Sequence, residues 1–293
     1  MSKTCLICTD FTDGLERLTE FVPDLAQSNL THVIFFHSVS LEKQGQVPRE
    51  DSRAIKEAEA KLTPAVLLGL PEGVKASIEV YAGNPLEGVK RILDKYHVDL
   101  VIVGTPIRSG WKETIFGSTS TEIAKLTEAP ILVIRPQLIS TYTREELSLR
   151  CQHLLHYLLI PYDDGENSHY CIKRLKEHVE GFPETTIKKC MLLTVVEEIR
   201  GSKELTESKM SQAQAKLTEV QKELEGVALE VNTDVREGDP IPETLKAALH
   251  SDVSAIVIAN HYQNNPLDWA VSSFAHELLH RSWYPVLLFS PKR

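Results

Sequence analysis

The 293-residue chain has no apolar run approaching the ~20 residues that a helix needs to cross a bilayer. Its start, Met-Ser-Lys-Thr-Cys-Leu-Ile-Cys, lacks the apolar core and small-residue cleavage site of a secretory signal. A cytoplasmic protein with no membrane contact is the expectation. Basic blocks are missing too, and the formal charge is -9, which argues against a general electrostatic grip on nucleic acid. Cysteine is scarce, at five residues, and an odd number without a signal suits a reducing compartment. Cys5 and Cys8 do form a C-x-x-C. They fall in a strand-like run, where residues three apart point to opposite faces, so a shared metal or redox pair is poorly served. Absent as well are the P-loop G-x-x-x-x-G-K-[ST], the dinucleotide G-x-G-x-x-G and the hydrolase elbow G-x-S-x-G.

What the chain does have is a duplication. Shifted by 155 residues, VYAGNPLEGVKRILDKYHVDLVIVGTP from Val80 lies on VREGDPIPETLKAALHSDVSAIVIANH from Val235. Gly83, Pro85, Ser118, Glu122, Pro130 and Pro136 fall on Gly238, Pro240, Ser273, Glu277, Pro285 and Pro291 without a gap. Nearer the starts of the two halves the shift is 153, and LICTD at Leu6–Asp10 faces LIPYD at Leu159–Asp163.

Each half alternates short apolar runs with charged amphipathic stretches. Runs such as LVIVG and AIVIA show no polar alternation, the mark of strands covered on both faces. The expected strands are Thr4–Thr9, His32–Val39, Ala76–Tyr81, Leu100–Gly104 and Ile131–Arg135, then Leu158–Pro161, Lys189–Val195, Ala228–Val235, Ala255–Ala259 and Val286–Ser290. Stretches such as EDSRAIKEAEAKLTPAVLLGL supply the helices between them. The pattern predicts an α/β fold of two tandem domains, 1–140 and 141–293, each an open parallel five-stranded sheet flanked by helices. Within the connecting residues 137–157, TREELSLRCQHLLHY is expected to be a helix packed on one of the domains.

Open parallel sheets take ligands outside the carboxyl ends of their strands. Three loops of the first half answer that description: Thr9 and Asp10 after the first strand, His37, Ser38 and Val39 at the second, and the segment after Gly104. The last of these suits phosphate. Gly104 permits a tight turn, Gly117 permits close approach, and the free amides and dipole of a helix opening at Ser118 favour an anion. Ser118 and Thr119 add hydroxyls, and Arg108 and Lys112 add charge. The same Ser-Thr-Ser-Thr run is equally a plain helix cap.

Gly104-Thr105-Pro106-Ile107-Arg108-Ser109-Gly110, followed by Gly117-Ser118, resembles the universal stress protein family, whose nucleotide-binding members carry G-x-x-G, nine residues, then G-[ST]. TDFTD, GNP and the closing APILVIRP are similar to that family as well, and the likeness spans both halves. The resemblance implies an adenine nucleotide alpha-hydrolase-like fold in each half and pairing through the last strands, within one chain or in a homodimer. It implies ATP or ADP as ligand in the first half, with no metal beyond a nucleotide-associated Mg. Asp10 would meet the adenosine moiety, backbone near Ser38 and Val39 the adenine, and Gly104, Gly117 and Ser118 the phosphates. One position departs from the pattern. Ile107 stands where the second glycine belongs, and a β-branched residue resists positive φ and adds bulk. In the second half, Ala259, Tyr262 and Ser272 replace all three glycines, so that half is expected to serve as the pairing partner.

HELLH at His276–His280 matches the zinc-protease signature. No His, Asp or Glu follows it, and it lies on the helix after the degenerate loop, so no metal is expected there. His37 is an acid–base candidate or a structural histidine. Two readings remain: a non-catalytic stress-response protein that binds adenine nucleotide weakly, at most a slow ATPase, or an interaction module that binds none.

Overall fold

The computed structural model describes residues 3–42, 49–67, 69–105, 118–181, 186–199, 201–227, 229–259 and 272–289. The chain divides into two compact units, Met1–Gln152 and His153–Arg293. In the first, β1 (Lys3–Cys8) leads through a 3-10 helix (Leu15–Phe21) and α1 (Val22–Gln27) to β2 (Leu30–Val39). Then come α2 (Ser52–Leu62), α3 (Pro64–Leu67), β3 (Lys75–Ala82), α4 (Pro85–Lys95), β4 (Leu100–Gly104), α5 (Ser118–Leu126) and β5 (Ile131–Ile134). Two more helices close the unit, α6 (Pro136–Ile139) and α7 (Arg144–Gln152). The second unit repeats the plan: β6 (Tyr157–Pro161), α8 (Glu166–Gly181), β7 (Lys189–Val196), α9 (Lys203–Glu223), β8 (Glu230–Glu237), α10 (Pro240–His250), β9 (Ala255–Ala259), α11 (Ser273–Arg281) and β10 (Val286–Phe289).

All ten expected strands are present. Within the first unit the strands lie in the order β3-β2-β1-β4-β5, and within the second β8-β7-β6-β9-β10, every described pair parallel. The order reverses beside β1 and beside β6, which places a crevice at the carboxyl end of each central strand. Core residues come from both faces of the central strands, as uninterrupted apolar runs require. Leu6, Ile7, Ile34, Phe35, Ile102 and Leu132 are buried in the first unit, and Leu158, Leu159, Leu192, Ile256 and Leu288 in the second.

The repeated G-[ND]-P ahead of α4 and α10 has a local cause. Gly83 and Gly238 adopt φ of 132° and 141°, a region that side chains rarely enter. Each then hands the chain to a capping side chain. Asn84 accepts from the Leu86 N–H at 2.9 Å and Asp239 from the Ile241 N–H at 3.3 Å, with proline next at the first helical turn. The segment expected as one helix after residue 50 divides into α2 and α3 at Thr63-Pro64, because proline has no N–H to continue the ladder. Helix α7 packs against α1, and the Ser28 hydroxyl donates to the Cys151 and Gln152 carbonyls at its end, both at 2.8 Å. Among the described residues, no helix is long and apolar enough to cross a membrane.

Candidate functional site

At the end of β1 the Thr9 N–H still donates to the Phe36 carbonyl (3.0 Å), while the Thr9 carbonyl meets Nδ1 of His37 at 2.8 Å. The chain then turns through Phe11, whose φ of 63° is a left-handed value that costs a non-glycine residue roughly 1–3 kcal/mol. Three contacts hold that turn. Phe11 donates its N–H to the Thr9 hydroxyl at 3.0 Å, stacks on the His37 ring at 4.0 Å, and lies beneath the Lys61 ammonium at 4.5 Å. His37 is therefore tied down on both its ring face and one nitrogen, and burial pushes its pKa below the ordinary value.

Asp10 lies exposed on this turn. Its Oδ1 accepts from the Thr12 N–H (2.8 Å) and hydroxyl (2.7 Å), and Oδ2 makes no hydrogen bond among the described residues. Ser38 is half-buried near the end of β2; Val39 is buried, with its carbonyl taken by the Gly83 N–H at 2.9 Å. The first- and second-strand candidates thus share one end of the sheet. Arg108, Gly117, Ile107 and Lys112 lie outside the described residues. Ser118 and Thr119 open α5, and their side chains lie outside the described set.

Gly104 closes β4, paired with Ile134, and has a neighbour that loop reading did not anticipate. A β-carbon built on it would overlap the Cβ and carboxyl group of Asp13. The glycine is demanded by that approach. Asp13 is 4% exposed and accepts from the Thr9 hydroxyl at 2.7 Å and the Leu15 N–H at 3.0 Å. Burial raises its pKa to about 6, against the pull of those two hydrogen bonds. The only sequence signal was the second Asp of TDFTD. Nothing in the spacing said that it would turn inward against β4. Cys8, part-buried beside it, is also pushed up, first by burial and then by the Asp13 charge.

The second unit repeats this backbone with different side chains. Tyr162 donates its N–H to the Leu193 carbonyl at 2.8 Å, and the Thr194 hydroxyl takes the Tyr162 carbonyl at 2.7 Å in the place of His37. Asp164, at φ 60°, holds the position of Phe11. It bonds the Tyr162 hydroxyl at 2.9 Å and pairs with Lys216 at 3.4 Å. Strand β9 ends on Ala259 where β4 ends on Gly104, and the Ser272 hydroxyl caps α11 by accepting from the Ala275 N–H at 3.2 Å. Between the strand ends and α11 lies a cavity of about 330 Å³, bordered by Tyr162, Leu193, Thr244, Ala259 and Phe274. Tyr262 lies outside the described residues. In HELLH, His276 and His280 are exposed on α11, and Glu277 is engaged by Arg281 at 2.8 Å. Among the described residues, no three His, Cys, Asp or Glu side chains cluster as metal ligands.

In each unit a parallel run of five strands whose order reverses beside the central strand marks an α/β protein, with the adenine nucleotide alpha-hydrolase-like fold of the family matched below. The profile of the universal stress protein family matches residues 1–135 and 156–290, and the chain belongs to that family. The universal stress protein Slr1230 of Synechocystis sp. is 26% identical over 123 residues, a match that covers 42% of this chain and 40% of that protein. A universal stress protein from Archaeoglobus fulgidus has the same fold over 98% of this chain and 96% of its own, at 16% identity and a TM-score of 0.59. The protein PA1789 of Pseudomonas aeruginosa PAO1 is similar over 98% and 92%, at 13% identity and a TM-score of 0.59.

Proposed function

We propose that this chain is a non-catalytic stress-response protein of the cytoplasm that binds ATP or ADP weakly in its first unit. The observation that carries the reading is the turn after β1. It keeps the exposed Asp10 carboxylate at the carboxyl end of the central strand, with Oδ2 making no hydrogen bond among the described residues. A carboxylate so placed suits the hydroxyls of a ribose, and the end of β2 at Ser38 and Val39 suits the edge of an adenine. Gly104, Arg108, Gly117, Ser118 and Thr119 are the residues proposed for the phosphates, with Mg entering only with the nucleotide. Ile107 is the residue that weakens the grip. His37, the acid–base candidate read from the sequence, is held through Nδ1 by the Thr9 carbonyl and through its ring face by Phe11, which supports binding without hydrolysis.

The second unit is proposed to pair with the first through the last strands, β5 and β10, or with a second copy of the chain. The competing reading is an interaction module that takes no nucleotide. Equilibrium dialysis of ATP and ADP against the purified chain and Asp10→Ala separates the two. Saturable binding weakened about tenfold or more by the substitution supports the nucleotide reading, and its absence supports the module. Phosphate release at a stoichiometric rate over minutes would contradict the non-catalytic assignment.

A further inference from the structure

We infer that the second unit carries a ligand site of its own, built for a small uncharged organic molecule with one hydrogen-bonding group. The cavity at the ends of β6, β7 and β9 has a volume of about 330 Å³, within the range of small-molecule sites. Leu193, Val195, Val257, Ile258 and Phe274 give its lining an apolar share, and Asn167, Ser168, Ser272 and Ser273 a polar one. The Ser168 hydroxyl is engaged by the Gly165 carbonyl and the Ser272 hydroxyl by the Ala275 N–H. One wall residue is out of balance. Thr244 on α10 is 1% exposed, and its hydroxyl has no hydrogen-bond partner among the described residues. A buried hydroxyl left in that state is unfavourable, and a rotation about χ1 exchanges its methyl and hydroxyl positions. A ligand carbonyl or hydroxyl seated in the cavity would satisfy it.

Charge selects against an anion. Among the described residues no lysine or arginine borders the cavity, and the carboxylate that does, Asp163, is exposed. At the helix start nearby, the Ser272 hydroxyl already occupies the Ala275 N–H, one of the amides that a phosphate would need. Lys209 and Lys216 border the adjoining groove, together with Asp163, Asp164 and Glu197, and Lys216 is paired with Asp164 and Glu219. The substitutions that removed the phosphate pattern from this unit thus leave a pocket without a described cation, in which the Thr244 hydroxyl is the buried polar atom left unsatisfied among the described lining residues.

The test uses the full chain and two probes of one shape, neutral 2-naphthol and anionic naphthalene-2-sulfonate, followed by ligand-observed NMR and calorimetry. Naphthol is expected to bind at least tenfold more tightly than the sulfonate and to be undisturbed by excess ATP. Thr244→Val keeps the shape of the wall and is expected to weaken naphthol roughly three- to tenfold, the worth of one hydrogen bond. Ala259→Leu, which fills the cavity, is expected to abolish binding, with circular dichroism checking that both variants fold. Displacement of naphthol by ATP, preference for the sulfonate, indifference to both substitutions, or no naphthol binding overturns the inference. Because ATP binding is read separately through Asp10→Ala, failure of the nucleotide reading for the first unit leaves this result intact.

Discussion

The residue that most alters the picture of the first unit is Asp13. A sequence reading makes Gly104 a turn residue for phosphate, and the three-dimensional packing gives it a second partner, a carboxyl group pressed on its α-carbon. Gly104→Ala is therefore expected to destabilise the chain by about 1–3 kcal/mol through overpacking. Pairing it with Asp13→Gly should recover much of the loss, a coupling that a double-mutant cycle in urea measures. Strict additivity of the two substitutions would contradict the contact. Asp13 also makes stability depend on pH. Its folded pKa of about 6 lies above the ordinary 3.8, so the folded state binds the proton more tightly. The stabilisation is complete below about pH 4 and is lost as pH rises through about 6, up to about 3 kcal/mol in all. Asp13→Asn should flatten that dependence in urea melts between pH 4 and 7, and an unchanged slope would assign the titration elsewhere. Asp10 was legible as a candidate because its place after a strand is a matter of order along the chain. Asp13 was not, since three residues of spacing do not say which carboxyl turns inward.

At the scale of elements, all ten strands were legible because uninterrupted apolar runs leave few alternatives. The two G-[ND]-P motifs were legible as part of the repeat, and their role as helix caps comes from the structure. The left-handed turn at Phe11 and Asp164 was not legible, since neither residue type announces φ near 60°. Nor was the division of α2 from α3 read from Pro64, where the amphipathic pattern runs on across the break. The caps allow a direct check. Asn84→Ala and Asp239→Ala should each cost about 1 kcal/mol, while the glycine substitutions at the same positions should cost only a few tenths. Gly83→Ala should cost at least as much as the lost cap, because φ of 132° strains any β-carbon. Guanidinium melts of the four cap variants and Gly83→Ala decide this, and equal losses for alanine and glycine at Asn84 would mean that its side chain caps nothing.

At the scale of the whole molecule, duplication has produced two units with one backbone and two sets of crevice residues: Phe11, His37, Asp13 and Gly104 in the first, and Asp164, Thr194, Ala259 and Thr244 in the second. The sequence carried the duplication and the loss of the second glycine pattern. It could not carry the second cavity, whose walls come from strands and helices far apart in the chain. If the proposed pairing through the last strands holds, cysteines introduced along Ile131–Ile134 and Val286–Phe289 are expected to form disulfides within one chain that the parent protein lacks. Disulfides only between chains would make the pairing intermolecular. The central claim is that the first unit holds adenine nucleotide at a site weakened by Ile107. Strain or bulk worth roughly 1–3 kcal/mol at that position corresponds to about ten- to a hundredfold in affinity. The most direct measurement is calorimetric titration of ATP into the unaltered chain, Ile107→Gly and Tyr262→Gly. The unaltered chain is expected to bind weakly, Ile107→Gly about ten- to a hundredfold more tightly, and Tyr262→Gly no differently from the unaltered chain. Tight binding that Ile107→Gly leaves unaltered, or no binding by any of the three, would contradict that claim.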